Sequence, residues 1–413
     1  MPTSTIPPAD PSFNPISVIG TISGGEPVAE PDLVHWLLDG GRRIERDVEL
    51  FGALCWRILG SGVALARASL HIGTLHPQLL GFGFRWSRDL RTIEEFTVAH
   101  GVRETEDYRS SPIRSVVEDG HVVRLRADDP ATRQRYPLLS SLHAAGITEY
   151  VALPLTMMVN RHQVVSWATD RAGGFAEDDR ALLRRIVPAL ASVVEARAMR
   201  RIAGHLLDTY LGREAGPRVL AGQIHRGQGD RIQAIVMASD LRGFTRFSDL
   251  LPGEEVIALL DEYFERVAEP VRAEGGEVLK FIGDGVLSIF PVDGRGPAEA
   301  AGAALRAATA AMRALDELNG GRPRNGRQML RAGFGLHIGE VMFGNVGAPD
   351  RLDFTVIGRA VNLAFRLESL TKRLGRPLLA SRAFAAAAPE RFVSLGLQPV
   401  RGLPDPEELF ALP

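Results

Sequence analysis

The chain has 413 residues, and its 48 lysines and arginines nearly balance its 50 aspartates and glutamates, which leaves a net charge of -2 at pH 7. This length predicts two or three compact units, and the small net charge disfavours a protein that gathers nucleic acid or anionic membrane. The single cysteine, Cys55, excludes an internal disulfide and a cysteine-rich metal site. Because a lone cysteine suits a reducing compartment, we expect a cytoplasmic protein.

The N-terminal 35 residues are predicted to be a disordered lead. Their first part, "MPTSTIPPADPSFNP", is rich in proline and has no basic segment followed by an apolar one, so it does not indicate a signal peptide. No apolar run in the chain approaches the roughly 18 residues that a membrane-spanning helix requires. We therefore expect no membrane insertion.

The sequence pattern of residues 36–196 predicts a helix, several strands and a second helix. Apolar residues recur at three- and four-residue spacing in "LVHWLLDGGRRIERDVELFGALCWRIL", which predicts a helix. The segments "VALARASLHIG", "LLGFGFRW", "EYVALPLTM" and "QVVSWATD" are rich in residues that favour strands. The segment "GGFAEDDRALLRRIVPALASVV" then begins a helix with acidic residues in its first turn.

This order of elements, with "GGFAEDDRALL" at the start of the last helix, resembles a GAF sensor domain over residues 36–196. Cyclic-nucleotide-binding GAF domains carry an Asn-Lys pair, then a Phe, then three intervening residues and an Asp-Glu pair. Phe175 and Asp179 keep that spacing, but Asp170, Arg171 and Arg180 stand at positions where the motif has other residues. The alternative is that Phe175 belongs to the core and Asp179 is a solvated first-turn carboxylate, so the ligand of this domain stays unknown.

Residues 197–230 are predicted to be a helical linker that ends in glycine-rich turns. Apolar residues from Ile186 to Leu206 can form one stripe of a helix, which Pro188 should interrupt or start. Two interpretations stay open. A continuous helix would connect a sensor to an output domain, whereas an ordinary terminal helix would only pack on its own domain.

Residues 231–413 are predicted to form an α+β domain of the ferredoxin-like class, with a β-α-β-β-α-β core and one open sheet face. The expected elements are a strand at 231–239, a helix at 253–274, the hairpin "EVLKFIGDGVLSIF", a helix at 297–318, the strand pair "MLRAGFGLHIGEVMFGNVG" and a helix at 358–374.

Two aspartates are candidates for a metal site in this domain. Asp240 ends the first strand, and Asp284 occupies the hairpin turn between Gly283 and Gly285. Each alone would more often be a turn or cap residue. In a β-α-β-β core, however, the strand and the hairpin are neighbours, so the two carboxylates can meet. Such a pair can hold two divalent ions, of which magnesium is expected because it takes a few carboxylates and then phosphate oxygens.

The residues after Asp240 are suited to phosphate. Gly243, Phe244 and Thr245 offer successive backbone N–H groups before a helix, and the glycine lets the backbone approach closely. We expect them to contact the triphosphate of a nucleotide.

Residues 231–413 resemble the class III nucleotidyl cyclases through four segments: "SDLRGFT", "GEVLKFIGDGVLSIF", "GLHIGEVMFGNVG" and "DFTVIGRAVNLAFRLESLT". The resemblance implies that Asp240 and Asp284, with Leu241 in the same set, bind two Mg²⁺ or Mn²⁺ ions. It also implies that Lys280 contacts adenine and that Thr355 is the second residue reading the base.

The resemblance further assigns Asn362 to orienting the ribose and Arg366 to stabilising the pentavalent transition state, with Arg401 at a position that often contacts phosphate. Asn362 and Arg366 are four residues apart, which places them on one face of a predicted helix. An amide and a guanidinium that converge on one site are what a transferring phosphoryl group requires.

The separation between Lys280 and Asp284 indicates a dimer. These residues are four apart, too close in the chain for one to reach the base and the other the triphosphate of one nucleotide. The family resolves this conflict by pairing two catalytic domains head to tail. We therefore expect a homodimer with two equivalent sites.

Hydrogen-bonding capacity favours ATP over GTP as the substrate. A lysine donates to adenine N1 and a threonine hydroxyl accepts from the 6-amino group, whereas guanine requires an acceptor such as glutamate. We expect an adenylate cyclase regulated by its N-terminal domain. The alternatives are a guanylate cyclase and an inactive homologue that serves as a dimerisation or nucleotide-binding module.

Overall fold

The computed structural model describes residues 16–158, 163–322, 328–388 and 392–413. The chain divides into two compact units, Met1–Leu206 and Leu207–Pro413. Within the described residues, no helix is both long enough and apolar enough to cross a membrane.

The first unit is built on a seven-stranded sheet in the order β1-β4-β3-β2-β7-β6-β5, in which all neighbouring strands are antiparallel. Its strands are β1 (Ile16–Ser23), β2 (Arg67–Gly73), β3 (Leu79–Ser87), β4 (Thr92–Ala99), β5 (Val123–Arg126), β6 (Glu149–Leu155) and β7 (Gln163–Thr169). Its helices are α1 (Leu33–Leu38), α2 (Asp47–Gly60), α3 (Glu106–Arg109), α4 (Ile113–Asp119), α5 (Pro130–Arg135), α6 (Pro137–Ala144) and α7 (Glu177–Leu211), with 3₁₀ turns at Gly41–Arg43 and His100–Glu104.

The expectation of a disordered lead through residue 35 is wrong for the described part of that segment. Ile16–Ser23 is a strand that pairs with β4, and α1 begins at Leu33. The strand was missed because it is an edge strand with mostly exposed side chains, so no apolar alternation marks it. Its order comes from backbone hydrogen bonds to β4. Residues 1–15 lie outside the described ranges.

Helix α7 continues through Pro188 and ends only at Leu211, so the expected interruption or start at Pro188 is wrong. A proline removes one intrahelical hydrogen bond, but here the flanking Ile186 and Leu190 are buried in the core of the first unit. That burial offsets the loss. The helix runs without a break through the first part of the predicted linker, as far as Leu211.

The motif positions near the start of α7 are occupied by structural residues. Phe175 is buried in the core. The Asp179 carboxylate accepts a hydrogen bond from the Ala176 N–H at 2.9 Å and pairs with Arg171 at 3.2 Å. Phe175 therefore has the core role of the alternative interpretation, whereas the expectation of a solvated Asp179 is wrong, since its side chain is only 12% exposed. The resemblance of this unit to a GAF domain stays a prediction.

The second unit contains an eight-stranded sheet in the order β14-β15-β13-β11-β8-β10-β9, with β12 paired to β11 off this path. Its strands are β8 (Gly229–Leu241), β9 (Glu277–Ile282), β10 (Gly285–Pro291), β11 (Ala332–Ala348), β12 (Arg351–Ile357), β13 (Leu378–Ser381), β14 (Val393–Gln398) and β15 (Glu407–Ala411). Its helices are α8 (Ala215–Leu220), α9 (Phe244–Leu250), α10 (Gly253–Ala273), α11 (Pro297–Asn319), α12 (Arg359–Arg373) and α13 (Arg382–Ala387). The expected β-α-β-β-α-β order is present, while membership of the ferredoxin-like class stays a prediction.

Two expectations for this unit are wrong. The segment predicted as a strand pair forms one 17-residue strand, β11, whose far end carries β12. The sheet face expected to be open is partly covered, since Phe354 of β12 and Ala360 and Ala364 of α12 pack in one apolar cluster with residues of β8. The strand continues through this segment because its pairing with β8, and not the local sequence, stabilises the long extended backbone.

Glycines in β11 let α12 approach the sheet. A β-carbon at Gly335 would lie 2.1 Å from the Ala364 carbonyl oxygen, and one at Gly333 would lie 2.5 Å from the Glu368 carboxylate. Gly333 and Gly335 pair with Asp240 and Ala238 of β8. These two glycines form a stripe without side chains on β11. This glycine stripe therefore lets α12 pack close to the end of β8.

Gly335→Ala should lower the stability of the second unit by about 1–3 kcal/mol, because the new methyl group has no space. Urea unfolding of the full chain measures this. The matched control is Gly253→Ala at the start of α10, where a β-carbon has nothing within 4 Å and the change should be under about 0.5 kcal/mol. Equal effects of the two variants would contradict this account of the packing of α12.

Candidate active site

The structure brings Asp240 and Asp284 together at one end of β8. Asp240 pairs with Gly285 of β10 in the sheet, and the Leu241 N–H donates to the Asp284 carbonyl at 3.4 Å. The two carboxyl groups are close enough for the charge of Asp284 to act on Asp240. Burial, together with the neighbouring Asp284 charge, raises the pKa of Asp240 to about 6. These two groups are held close together at a free-energy cost that a cation would remove.

The residues that are predicted to contact metal or phosphate come shortly after Asp240 in the chain. Leu241 has a buried side chain, so only its backbone can take part in a metal or phosphate site. Gly243 has φ of 82°, in the left-handed region, and lies immediately before α9. Thr245 is exposed and Phe244 is partly buried. The left-handed glycine turns the backbone from β8 into α9, which is what this segment requires to present N–H groups.

A third carboxylate, Glu368, lies over the neighbouring strand position and was missed by sequence reasoning. It extends from α12 over Gly333, which is opposite Asp240 in the β8–β11 ladder, and is only 8% exposed. Burial first, and then the charge of Asp240, raise the pKa of Glu368 to about 7. The sequence contained a signal for this residue, because Glu368 is an acidic residue on the inward face of an amphipathic helix. Leu367 and Thr371 on that face are buried as well.

Lys280 and Thr355, the predicted base-reading residues, lie on β9 and β12. The Lys280 ammonium group pairs with the carboxylate of Asp353, a residue that the sequence argument did not identify. Thr355 follows two positions later on β12 and is 5% exposed, and its hydroxyl has no hydrogen-bond partner among the described residues. A buried hydroxyl without a partner is a candidate contact for a ligand.

Asn362 and Arg366 lie on the opposite side of α12 from the sheet. The face of α12 that includes Ala360, Ala364 and Leu367 is buried, while Asn362 is exposed and Arg366 is partly exposed. The Arg366 guanidinium lies 3.0 Å from where a β-carbon at Gly402 would be, so it neighbours the exposed loop that contains Arg401. Within one chain, these groups therefore face away from Asp240 and Asp284.

The donor set fits a divalent cation. Two carboxylates meet at the end of a strand, where a bound cation would offset the charge of Asp284 beside Asp240. No group of three or more potential ligand side chains is found in the described ranges, so water or a ligand's oxygens would complete the coordination. Asp240 and Asp284 are the residues that would hold such an ion.

Comparison with known proteins identifies the family to which residues 230–376 belong. Residues 230–376 match the family model described as "Adenylate and Guanylate cyclase catalytic domain". This part of the chain is a class III cyclase catalytic domain. The description covers both base specificities.

Similar proteins include both kinds of cyclase. "Adenylate cyclase 1" of Rhizobium meliloti is 36% identical over 176 residues, which cover 42% of this chain and 26% of that protein. The chain therefore matches about a quarter of the length of this relative. A solved adenylyl cyclase of P. aeruginosa is 30% identical, covering 45% of this chain and 96% of that one, with a TM-score of 0.41. The solved guanylyl cyclase Cya2 is 33% identical, covering 45% and 93%, with a TM-score of 0.40.

Asp240→Asn should stabilise the metal-free protein at about pH 7.5 by roughly 1–2 kcal/mol, allowing for partial solvent screening. Because the folded-state pKa of about 6 exceeds the ordinary aspartate value of about 3.9, wild type loses stability as pH rises between these values. The asparagine variant lacks this loss, so its advantage should shrink at about pH 5. Urea unfolding in a chelating buffer measures both. Asp249→Asn, at an exposed position in α9, is the control; an equal gain there would contradict the assignment.

Proposed function

We propose that this cyclase catalytic domain converts ATP to 3′,5′-cyclic AMP and pyrophosphate, at sites that form between two copies of the chain. The observation that carries this proposal is the meeting of Asp240 and Asp284 in a unit that also presents Lys280 on β9 and Thr355 on β12. The first pair suits the metal-bound triphosphate, and the second suits adenine.

The reaction is attack of the ribose 3′-oxygen on the α-phosphorus, with pyrophosphate as the leaving group. Bound divalent ions, magnesium or manganese, supply charge neutralisation and a lowered pKa of the attacking hydroxyl. The segment Gly243 to Thr245 holds the phosphates through backbone N–H groups. Asn362 orients the ribose, and Arg366 stabilises the negative charge that grows on the transferring phosphoryl group, with Arg401 nearby on the same side.

Base selection follows from a hydrogen-bond donor on β9 and an acceptor on β12. The Lys280 ammonium donates to adenine N1, and the unpartnered Thr355 hydroxyl accepts from the 6-amino group. Guanine presents a donor at N1, which faces a second donor at Lys280. ATP is therefore the proposed substrate. Because ATP and the reducing conditions that suit a lone cysteine are both found in the cytoplasm, we place the reaction there.

The orientation of α12 supports a shared site. Asn362 and Arg366 face outward, whereas Asp240 and Asp284 lie on the sheet side of the same helix. One nucleotide cannot contact both sets within a single chain without passing through α12. In a head-to-tail homodimer, the aspartates of one copy face the outward residues of the other, and the symmetry creates two equivalent sites.

The first unit is proposed to regulate this activity as a GAF-like sensor. The support is the unbroken α7, which begins at the end of the first sheet and runs toward the catalytic residues in sequence. Its ligand is not identified by the residues at the cyclic-nucleotide positions, since Phe175 and Asp179 have structural roles.

Incubation of the full-length protein with ATP or GTP and Mg²⁺ or Mn²⁺ should yield cyclic AMP from ATP, identified by mass spectrometry. Asp240→Ala and Asp284→Ala should lower turnover at least about 100-fold, because they remove the groups that would hold the metal. Cyclic GMP as the main product would replace the proposal with a guanylate cyclase. No product from either nucleotide would favour an inactive homologue.

A mixture of Asp284→Ala and Arg366→Ala chains should recover activity that neither variant shows alone. In a heterodimer, one site combines intact aspartates with an intact Arg366, and the other site carries both defects. Activity should therefore reach up to about half of wild type per heterodimer. Two inactive preparations that stay inactive after verified subunit exchange would contradict the shared site. Wild type mixed with Arg366→Ala serves as the exchange control.

A further inference from the structure

We propose that Asp353 is a positioning residue for base recognition, which holds the Lys280 ammonium group beside the Thr355 hydroxyl. The preference for ATP would then depend on three residues and not on the two that the sequence identifies. This inference rests on the proposed function, because it concerns the adenine-contacting region of the same site.

The antiparallel ribbon of β11 and β12 creates the contact between Lys280 and Asp353. β12 pairs with β11 and is not a neighbour of β9 in the sheet. Nevertheless, Phe354 and Val356 of β12 are buried in one cluster with Leu279 of β9 and Leu287 of β10. The ribbon therefore folds over the sheet face and is anchored there by apolar packing, which gives Asp353 and Thr355 a defined position over β9.

The ion pair connects residues that are 73 positions apart in the chain. The Lys280 side chain is 28% exposed and that of Asp353 is 54% exposed. A free lysine side chain has many rotamers, and its ordering upon ligand binding costs free energy. Because Asp353 already restricts the ammonium group, less ordering remains when the nucleotide binds. An ammonium group has three N–H donors, so two remain for adenine.

Thr355 supplies the matching acceptor. Alternate residues of a strand share a face, so Thr355 is on the same side of β12 as Asp353. Its hydroxyl is buried and unpartnered within the described part of the chain, a state that costs free energy until a ligand satisfies it. An ammonium donor beside a hydroxyl acceptor is complementary to adenine, whose N1 accepts and whose 6-amino group donates.

The ion pair also disfavours guanine. A free carboxylate at this position would accept from guanine N1–H and the 2-amino group, as acidic residues in a guanine site do. With Lys280 paired to it, the Asp353 carboxylate is already engaged. Asp353 thus favours adenine binding through Lys280. Because it is paired with Lys280, its carboxylate is a poor acceptor for the N–H groups of guanine.

The test compares wild type with the full-length variant Asp353→Asn, in which asparagine keeps the shape of aspartate but removes its charge. Equilibrium binding of 3′-deoxy-ATP and of 3′-deoxy-GTP is measured with Mg²⁺. These nucleotides lack the attacking hydroxyl, so binding is measured without turnover. The 3′-deoxy-ATP affinity should fall about 3- to 10-fold, with 3′-deoxy-GTP affinity unchanged or higher. In turnover, the KM for ATP should rise while kcat stays within about twofold. Asp353→Glu, which keeps the charge, should restore part of the affinity.

A double-mutant cycle separates positioning from structure. If Asp353 acts through Lys280, then Asp353→Asn should cause no further loss of 3′-deoxy-ATP binding in a Lys280→Met background. The matched control is Glu274→Gln, which breaks a partly exposed ion pair with Arg306 at 2.6 Å and should leave nucleotide binding unchanged.

Full additivity in the double-mutant cycle would overturn this inference. So would an unchanged ratio of the 3′-deoxy-ATP and 3′-deoxy-GTP affinities in Asp353→Asn. Cyclic AMP formation by wild type would in either case still support the proposed function. Wild type that binds 3′-deoxy-ATP no better than 3′-deoxy-GTP would overturn both the inference and the choice of ATP. Failure of wild type to cyclise either nucleotide, with the binding preference intact, would reject only the activity.

Discussion

The contact between the Asp240 and Asp284 carboxyl groups is the constraint on which the catalytic unit is organised. Burial first, and then the neighbouring charge of Asp284, raise the pKa of Asp240 to about 6, so this contact costs free energy. The surrounding sheet sustains it, because β8 is held between β10 and β11 by continuous backbone pairing. Glu368 adds a third acidic group from α12. The result is a rigid site whose electrostatic preference is for a bound cation.

Helix α12 connects the two halves of the proposed chemistry. Its inner face packs on the glycine stripe of β11 and carries Glu368 to the aspartates, while its outer face carries Asn362 and Arg366. In a two-fold dimer, a single helix would therefore contact both active sites, one from each side. Such a helix can couple the sites mechanically, because interior packing leaves little room for its two faces to move independently.

Sequence reasoning identified most of the catalytic unit because its signals are local. Strand β8, helices α10, α11 and α12 and the hairpin between β9 and β10 follow from periodicity and glycine placement, and their bounds agree with the structure within a few residues. The aspartates were found because each ends a strand or occupies a turn. The edge strand β1, the continuation of α7 through Pro188 and the single long β11 were missed. In each of these, pairing or packing with distant residues overrides the local pattern.

The sequence by itself determined the chemistry that is available: two aspartates with adjacent glycines, a lysine and a threonine suited to adenine, and an amide and a guanidinium on one helical face. Only the tertiary structure decided how these groups are combined. It placed Glu368 beside Asp240, paired Lys280 with Asp353, and turned Asn362 and Arg366 away from the aspartates. The reason is physical: a side chain's type is encoded at its own position, whereas its neighbours depend on strand pairing and helix packing between residues tens to more than a hundred positions apart.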